Sequence, residues 1–121
     1  MPCYNFSTFK TNWSNARSNC LNRGGDLAIP TSTQEENLIE NSIKQGLPWI
    51  GLVRHHDNEF YTVYGLKPTY TDWLNGEPNN PGYENCGYLR FVNGKWGWND
   101  IPCGLLRHFI CQQDRSGCKL I

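Results

Sequence analysis

Trp73-Leu74-Asn75-Gly76-Glu77-Pro78-Asn79-Asn80-Pro81-Gly82-Tyr83-Glu84-Asn85-Cys86 and, further on, Gly94-Lys95-Trp96-Gly97-Trp98-Asn99-Asp100-Ile101-Pro102-Cys103 are the stretches on which the reading of this chain turns. The first is dense in Gly, Pro and Asn and has little apolar periodicity. The second alternates as a strand does. Both gather carboxylates and carboxamides: Glu77, Asn79 and Glu84 in one, Asn99 and Asp100 in the other. Such hard oxygen donors are what Ca²⁺ takes, about 6–8 of them from carboxylates, amides, backbone carbonyls and waters. Asn80, Pro81 and Gly82 read as turn formers, since Asn and Gly tolerate left-handed backbone and Pro presets φ.

Working outward, the 121 residues suit one domain over 1–121. Its core is small, so cross-links would help it. Eleven Lys and Arg balance eleven Asp and Glu, and no basic run exists. Sequence-independent attraction to nucleic acid is therefore not expected. No apolar stretch approaches the roughly 20 residues a membrane helix needs, so no membrane insertion is expected. Met1-Pro2-Cys3 leads straight into the domain, which reads as the mature form of a secreted, extracellular protein. Six cysteines, with no Cys-x-x-Cys and no Cys/His cluster at zinc spacing, point to disulfides and an oxidising compartment. Asn5-Phe6-Ser7 and Asn12-Trp13-Ser14 are glycosylation sequons.

Aromatic residues at Tyr4, Phe6 and Phe9 predict a first strand over 3–10. Thr11 or Asn12 caps a helix whose inward face is Trp13, Ala16, Cys20 and Leu21, stopped by Gly24-Gly25. Ser32/Glu35 and Thr33/Glu36 both fit a capping box for a second helix, with Leu38, Ile39 and Ile43 inward and Gly46 at its end. Trp49-Ile50-Gly51-Leu52 then reads as a strand, and Phe60, Tyr61, Val63 and Tyr64 as short strands. A long irregular segment fills 65–83, and strands resume from Tyr88 to Cys111. Long structureless segments inside compact domains are commonly functional.

The Glu77-Pro78-Asn79 and Trp98-Asn99-Asp100 clusters, the Trp49-Ile50-Gly51-Leu52 segment and the order of Cys20, Cys86, Cys103 and Cys111 together resemble the C-type lectin domain family, from about Cys3 to Cys111. That resemblance implies an α+β fold of two helices packed on antiparallel sheets, with a long calcium- and sugar-binding loop. It implies one Ca²⁺ held by Glu77, Asn79, Glu84, Asn99 and Asp100, and a cis Glu77–Pro78 bond. It pairs Cys20 with Cys111 and Cys86 with Cys103. Cys3 and Cys118 are left over, to close the termini within one chain or to link a homodimer. An auxiliary calcium found in many relatives would need acidic residues where Val53-Arg54 and Asn85 stand, and an arginine is a poor neighbour for a cation. Asp57 and Glu59 are weak substitutes. An arginine or lysine head group lodged among the five ligands would contradict the reading.

In the family, two neighbouring sugar hydroxyls complete the metal's coordination and hydrogen-bond to the side chains that hold it. Glu77 and Glu84 would accept those bonds, and Asn79 and Asn99 would donate them. The Glu-Pro-Asn order is associated with mannose, N-acetylglucosamine and fucose-type ligands. A galactose preference stays open, because Tyr83 or Trp96 is available to stack on a sugar face. One such site binds a monosaccharide at about the millimolar level, so avidity calls for several. A protein-binding role is the main rival. Catalysis is not expected: His55-His56 beside Asp57 is the nearest thing to an acid–base group, and adjacent strand residues point opposite ways. His108 reads as structural.

Overall fold

The computed structural model describes residues 2–114. Nine elements follow one another: β1 (Pro2–Phe6), α1 (Trp13–Asn22), β2 (Asp26–Leu27), α2 (Thr33–Asn41), β3 (Trp49–Arg54), β4 (Phe60–Thr62), β5 (Cys86–Val92), β6 (Lys95–Ile101) and β7 (Ile110–Asp114). β7 lies between β1 and β2 in one antiparallel sheet, and a second sheet runs β4-β3-β5-β6. The expected α+β architecture is present. Cys118 lies outside the described residues, and with it the expected choice between a Cys3–Cys118 closure and an interchain bond.

α1 starts where Asn12 caps it, the side chain accepting from Asn15 N at 2.8 Å. Trp13, Ala16 and Cys20 are buried, but Leu21 is exposed, because it is rotated about 100° from Cys20. α2 is capped by Ser32, which accepts from Glu35 N at 3.1 Å. It ends at Asn41, short of Gly46, where the Ser42 hydroxyl donates to the Ile39 carbonyl at 2.6 Å. Its inward stripe is Glu36 and Ile39, continued by Ile43 beyond the helix; Leu38 faces out. β1 stops at Phe6, and Phe9 instead packs edge-on against Phe109 beyond the strand. β4 stops at Thr62, before Val63 and Tyr64.

Two apolar clusters flank the strands. Trp13, Ala16, Cys20, Leu27, Trp49, Tyr88, Phe109 and Cys111 belong to one; Ile29, Ile39, Ile50, Leu52, Phe60, Leu89, Trp98 and Ile110 belong to the other. The Cys20–Cys111 bond ties α1 to β7, and the Cys86–Cys103 bond ties the start of β5 to the segment after β6. Between β4 and β5 the chain runs through residues 63–85 with neither helix nor strand.

Glu36 is a carboxyl group inside the second cluster's edge. It accepts from Trp98 Nε1 at 2.7 Å. Burial foremost, then hydrogen bonding to Asp72, raises its pKa from 4.5 to about 9. The folded chain thus keeps a proton that the unfolded chain releases throughout that interval, so this contribution is full below pH 4.5 and is lost as pH rises toward 9. Glu36→Gln keeps an acceptor for Trp98 and needs no proton. Its thermal midpoint should therefore gain on wild type steadily from pH 6 to 9 in calorimetry at fixed calcium. A pH-independent difference would contradict this origin.

Candidate functional site

The site grows from the β5–β6 hairpin. Its register sets Cys86 opposite Ile101, Gly87 opposite Asp100 and Tyr88 opposite Asn99. Asn99 and Asp100 therefore sit where the irregular segment enters β5, and the Cys86–Cys103 bond holds that end together. The segment's incoming end is pinned to β6: Trp98 N donates to the Asp72 carbonyl at 2.8 Å, and Leu74 N donates to the Trp98 carbonyl at 2.9 Å. Gly97 permits this approach, since a Cβ there would lie 2.4 Å from Leu74 Cδ2 and 3.2 Å from the Asp72 carbonyl oxygen.

From that anchor the chain turns through a cis Glu77–Pro78 bond. Asn79 N then donates to both Asp100 carboxylate oxygens, at 3.1 and 3.0 Å. Glu77 lies against Asp100 and close to Glu84. Burial, then the hydrogen bond with and charge of Asp100, raise its pKa from 4.5 to about 7. The Asn79 side-chain amide points at Glu77 Oε1, 3.1 Å away, and at Glu84 Oε1. With its nitrogen toward them it donates to both; with its oxygen toward them, three acceptor oxygens converge, which a cation can satisfy and another oxygen cannot. Asn80, with φ of 49°, closes the next turn and donates from Nδ2 to Glu84 Oε1 at 2.9 Å. Asn99 Oδ1 accepts from Asp100 N at 2.8 Å, and its Nδ2 donates to the Tyr88 hydroxyl at 3.1 Å. The structure thus brings Glu77, Asn79, Glu84 and Asp100 together, with Asn99 next along the strand. This donor set of carboxylate and amide oxygens fits calcium chemistry.

Arg54, at the end of β3, was considered only as a poor neighbour for an auxiliary cation; the structure shows that it is also part of the cluster. Its Nη2 donates to Asp100 Oδ2 at 2.9 Å, with the two side chains 5% and 0% exposed. Its other hydrogen bonds go to backbone carbonyls, among them those of Asn79 and Glu84. Of the five expected ligands, its guanidinium bonds the side chain of Asp100 and otherwise the backbone of Asn79 and Glu84. With all carboxylates ionised, Glu77, Glu84, Asp100 and Arg54 carry a formal charge of about −2.

The two aromatic candidates part ways. Tyr83 lies on the loop between Asn79 and Glu84 and is 80% exposed. Trp96 stands near the hairpin turn, edge-on to Phe91, and lines a separate hollow with Glu36, Tyr70, Asp72 and Lys95. The structure does not bring it to the oxygen cluster. Trp98, two residues on, is wholly buried in the core. Asp57 accepts from the Tyr61 hydroxyl at 2.5 Å, and Glu59 lies 3.9 Å from Lys67, so both proposed substitutes are otherwise engaged. His55 stacks on Tyr61, and His108 is buried against Phe6.

A second acidic group, which no sequence motif flagged, consists of Glu36, Glu40 and Asp72, with oxygens within 4.8 Å of one another. Its members come from α2 and the segment before β5, so only folding unites them. Burial raises the Glu36 pKa, and Lys95 lies 3.6 Å from Asp72, which lessens the repulsion among the three. Among the described residues no helix is long and apolar enough to cross a membrane.

Residues 9–113 match the Lectin C-type domain, and the chain belongs to the C-type lectin domain family. It is 33% identical to CD209 antigen-like protein A of Mus musculus, over 96% of this chain and 49% of that one. It thus spans about half the length of that relative. A murine dendritic cell inhibitory receptor 2 C-type lectin domain, solved in complex with N-glycan, superposes with a TM-score of 0.84 at 27% identity, covering 92% of this chain and 89% of that one. A calcium-independent type II antifreeze protein also superposes at 0.84, with 26% identity over 93% of this chain and 85% of its own. The protein is a C-type lectin carbohydrate-recognition domain; family and fold are of a carbohydrate-binding type rather than an enzyme type.

If Gly97 is what lets the loop lie on β6, then Gly97→Val should cost about 1–3 kcal/mol, the usual cost of overpacking. Urea unfolding would measure it. A variant as stable as wild type would show that Leu74 moves aside freely.

Proposed function

We propose that this domain binds terminal sugars of glycans through one Ca²⁺, held by Glu77, Asn79, Glu84, Asn99 and Asp100. The observation that carries the proposal is the meeting of the Glu77, Asn79 and Glu84 side chains beside buried Asp100. Charge supports a single ion. A formal charge of about −2 is neutralised by one Ca²⁺, and a second would leave the site strongly positive. Acidic residues are also missing where an auxiliary ion would sit.

When bound, calcium supplies coordination positions for two vicinal hydroxyls. The chain's own groups do the rest. Glu77 and Glu84 accept from the hydroxyl protons, and Asn79 donates to their remaining lone pairs. Asn99 gives one amide hydrogen to Tyr88, which fixes its plane and leaves the other for the sugar. The Glu-Pro-Asn order favours mannose, N-acetylglucosamine or fucose-type ligands. Tyr83 offers an exposed ring beside the site, the feature a galactose preference would use. Disulfides fit an oxidising setting, and we read the protein as secreted.

Retention on immobilised mannose and on immobilised galactose, with calcium and then with chelator, tests the proposal. Retention on mannose that chelator releases is expected. Retention that survives chelator, or binding of neither sugar at any calcium level, would overturn it. The paired change Glu77→Gln, Asn79→Asp reverses the donor and acceptor order. It should weaken mannose retention at least tenfold relative to galactose, with the thermal midpoint little changed. An unchanged ratio would mean that the hydroxyls are read elsewhere.

A further inference from the structure

On the β3 side of the oxygen cluster stands Arg54. Its Nε donates to the Glu84 carbonyl at 3.4 Å and its Nη1 to the Asn58 carbonyl at 2.9 Å. Its Nη2 meets the Asn79 carbonyl at 3.1 Å, the Glu84 carbonyl at 3.3 Å and Asp100 Oδ2 at 2.9 Å. One planar group thus joins four segments: the β3–β4 turn, the chain just after Pro78, the chain at Glu84, and β6. The Phe60 ring, on the residue opposite Arg54 in the β3–β4 pair, lies with its centroid 4.7 Å from Arg54 Cζ and fixes the plane. Arg54's own N–H donates to the Asn85 carbonyl at 2.8 Å, so its backbone is also tied to that chain.

We infer that Arg54 is a positioning residue: its guanidinium clamps Asn79 and Glu84 onto Asp100, so that the loop stands in binding geometry before any metal arrives. This rests on the calcium reading above for the word "binding"; the bonds of the clamp are made by the chain's own groups. The geometry selects a guanidinium. Its rigid fork presents five N–H donors in one plane, whereas an ammonium presents three from a single point. Three carboxylates gathered without a cation repel one another, and Arg54 supplies one positive charge of the chain's own beside them.

Arg54→Lys and Arg54→Met separate geometry from charge. Both are compared with wild type in two measurements. The first is the rate of cleavage after Glu84 by a glutamate-specific protease in EDTA. The second is calcium affinity by titration calorimetry, with the thermal midpoint as a control for global folding. The clamp predicts that Arg54→Lys, which keeps the charge, is cut at least fivefold faster and binds calcium at least fivefold more weakly. It predicts weaker binding for Arg54→Met too. If Arg54 were only a counter-charge, Arg54→Lys would match wild type in both measurements, and Arg54→Met would bind calcium more tightly; either result overturns the inference. Should wild type take up no calcium while Arg54→Lys is cut faster, the calcium reading falls and the clamp stands. Should wild type bind calcium and both variants equal it in cleavage and affinity, the clamp falls and the calcium reading stands.

Discussion

Asp100 is a wholly buried carboxylate at the end of β6, and a buried charge persists only with partners. Here the partners are Arg54 Nη2 from one side and the Asn79 N–H from another, with Glu77 pressed against it. Arg54 comes from β3, and Asn79 and Glu77 from the turn around Pro78. Satisfying one carboxylate therefore fixes the end of β3, the turn around Pro78 and the end of β6 relative to one another. Breaking such a pair by removing one member generally costs several kcal/mol, because the survivor stays buried and unpaired.

This arrangement divides the molecule into a part that specifies and a part that displays. The two sheets, the helices and the disulfides form a closed, well-packed base. Above it, residues 63–85 have no regular ladder and are tied down at separate points: the Trp73–Trp98 bridge, the Asp72 and Leu74 bonds to β6, and the Asp100 cluster. Irregular backbone held by a few strong polar contacts can present many oxygens in one direction, which a strand or helix cannot do. That is the structural reason a carbohydrate-recognition domain carries its chemistry here, where Glu77, Asn79 and Glu84 lie within a short stretch of sequence yet face one another.

Much of this was legible beforehand, because it depended on local rules. Asn12 and Ser32 are caps, Trp13, Ala16 and Cys20 form a helical face, and Glu77 to Glu84 announce themselves by composition. What was not legible depended on pairs far apart in the chain. Glu36 fits a capping box on paper, yet its side chain serves Trp98, which is 62 residues away. Leu38 was expected inside because it is apolar, but the helix rotates it outward and gives its place to Glu36. β2 is only two residues long and exists because β7 offers it an edge. Arg54 shows the same limit: the carbonyls of Asn58, Asn79 and Glu84 and the Asp100 carboxylate that it meets come from distant segments, which no sequence pattern marks. Trp96, two residues from Trp98, was read as near the sugar, and strand geometry carries it toward the hairpin turn instead.

Calorimetric titration of the chelator-stripped protein with Ca²⁺ tests the central claim most directly. One cation should enter per chain, and Glu84→Gln should weaken its uptake severely. No uptake, or two ions per chain, would contradict an account built on three carboxylates, one resident guanidinium and a single metal.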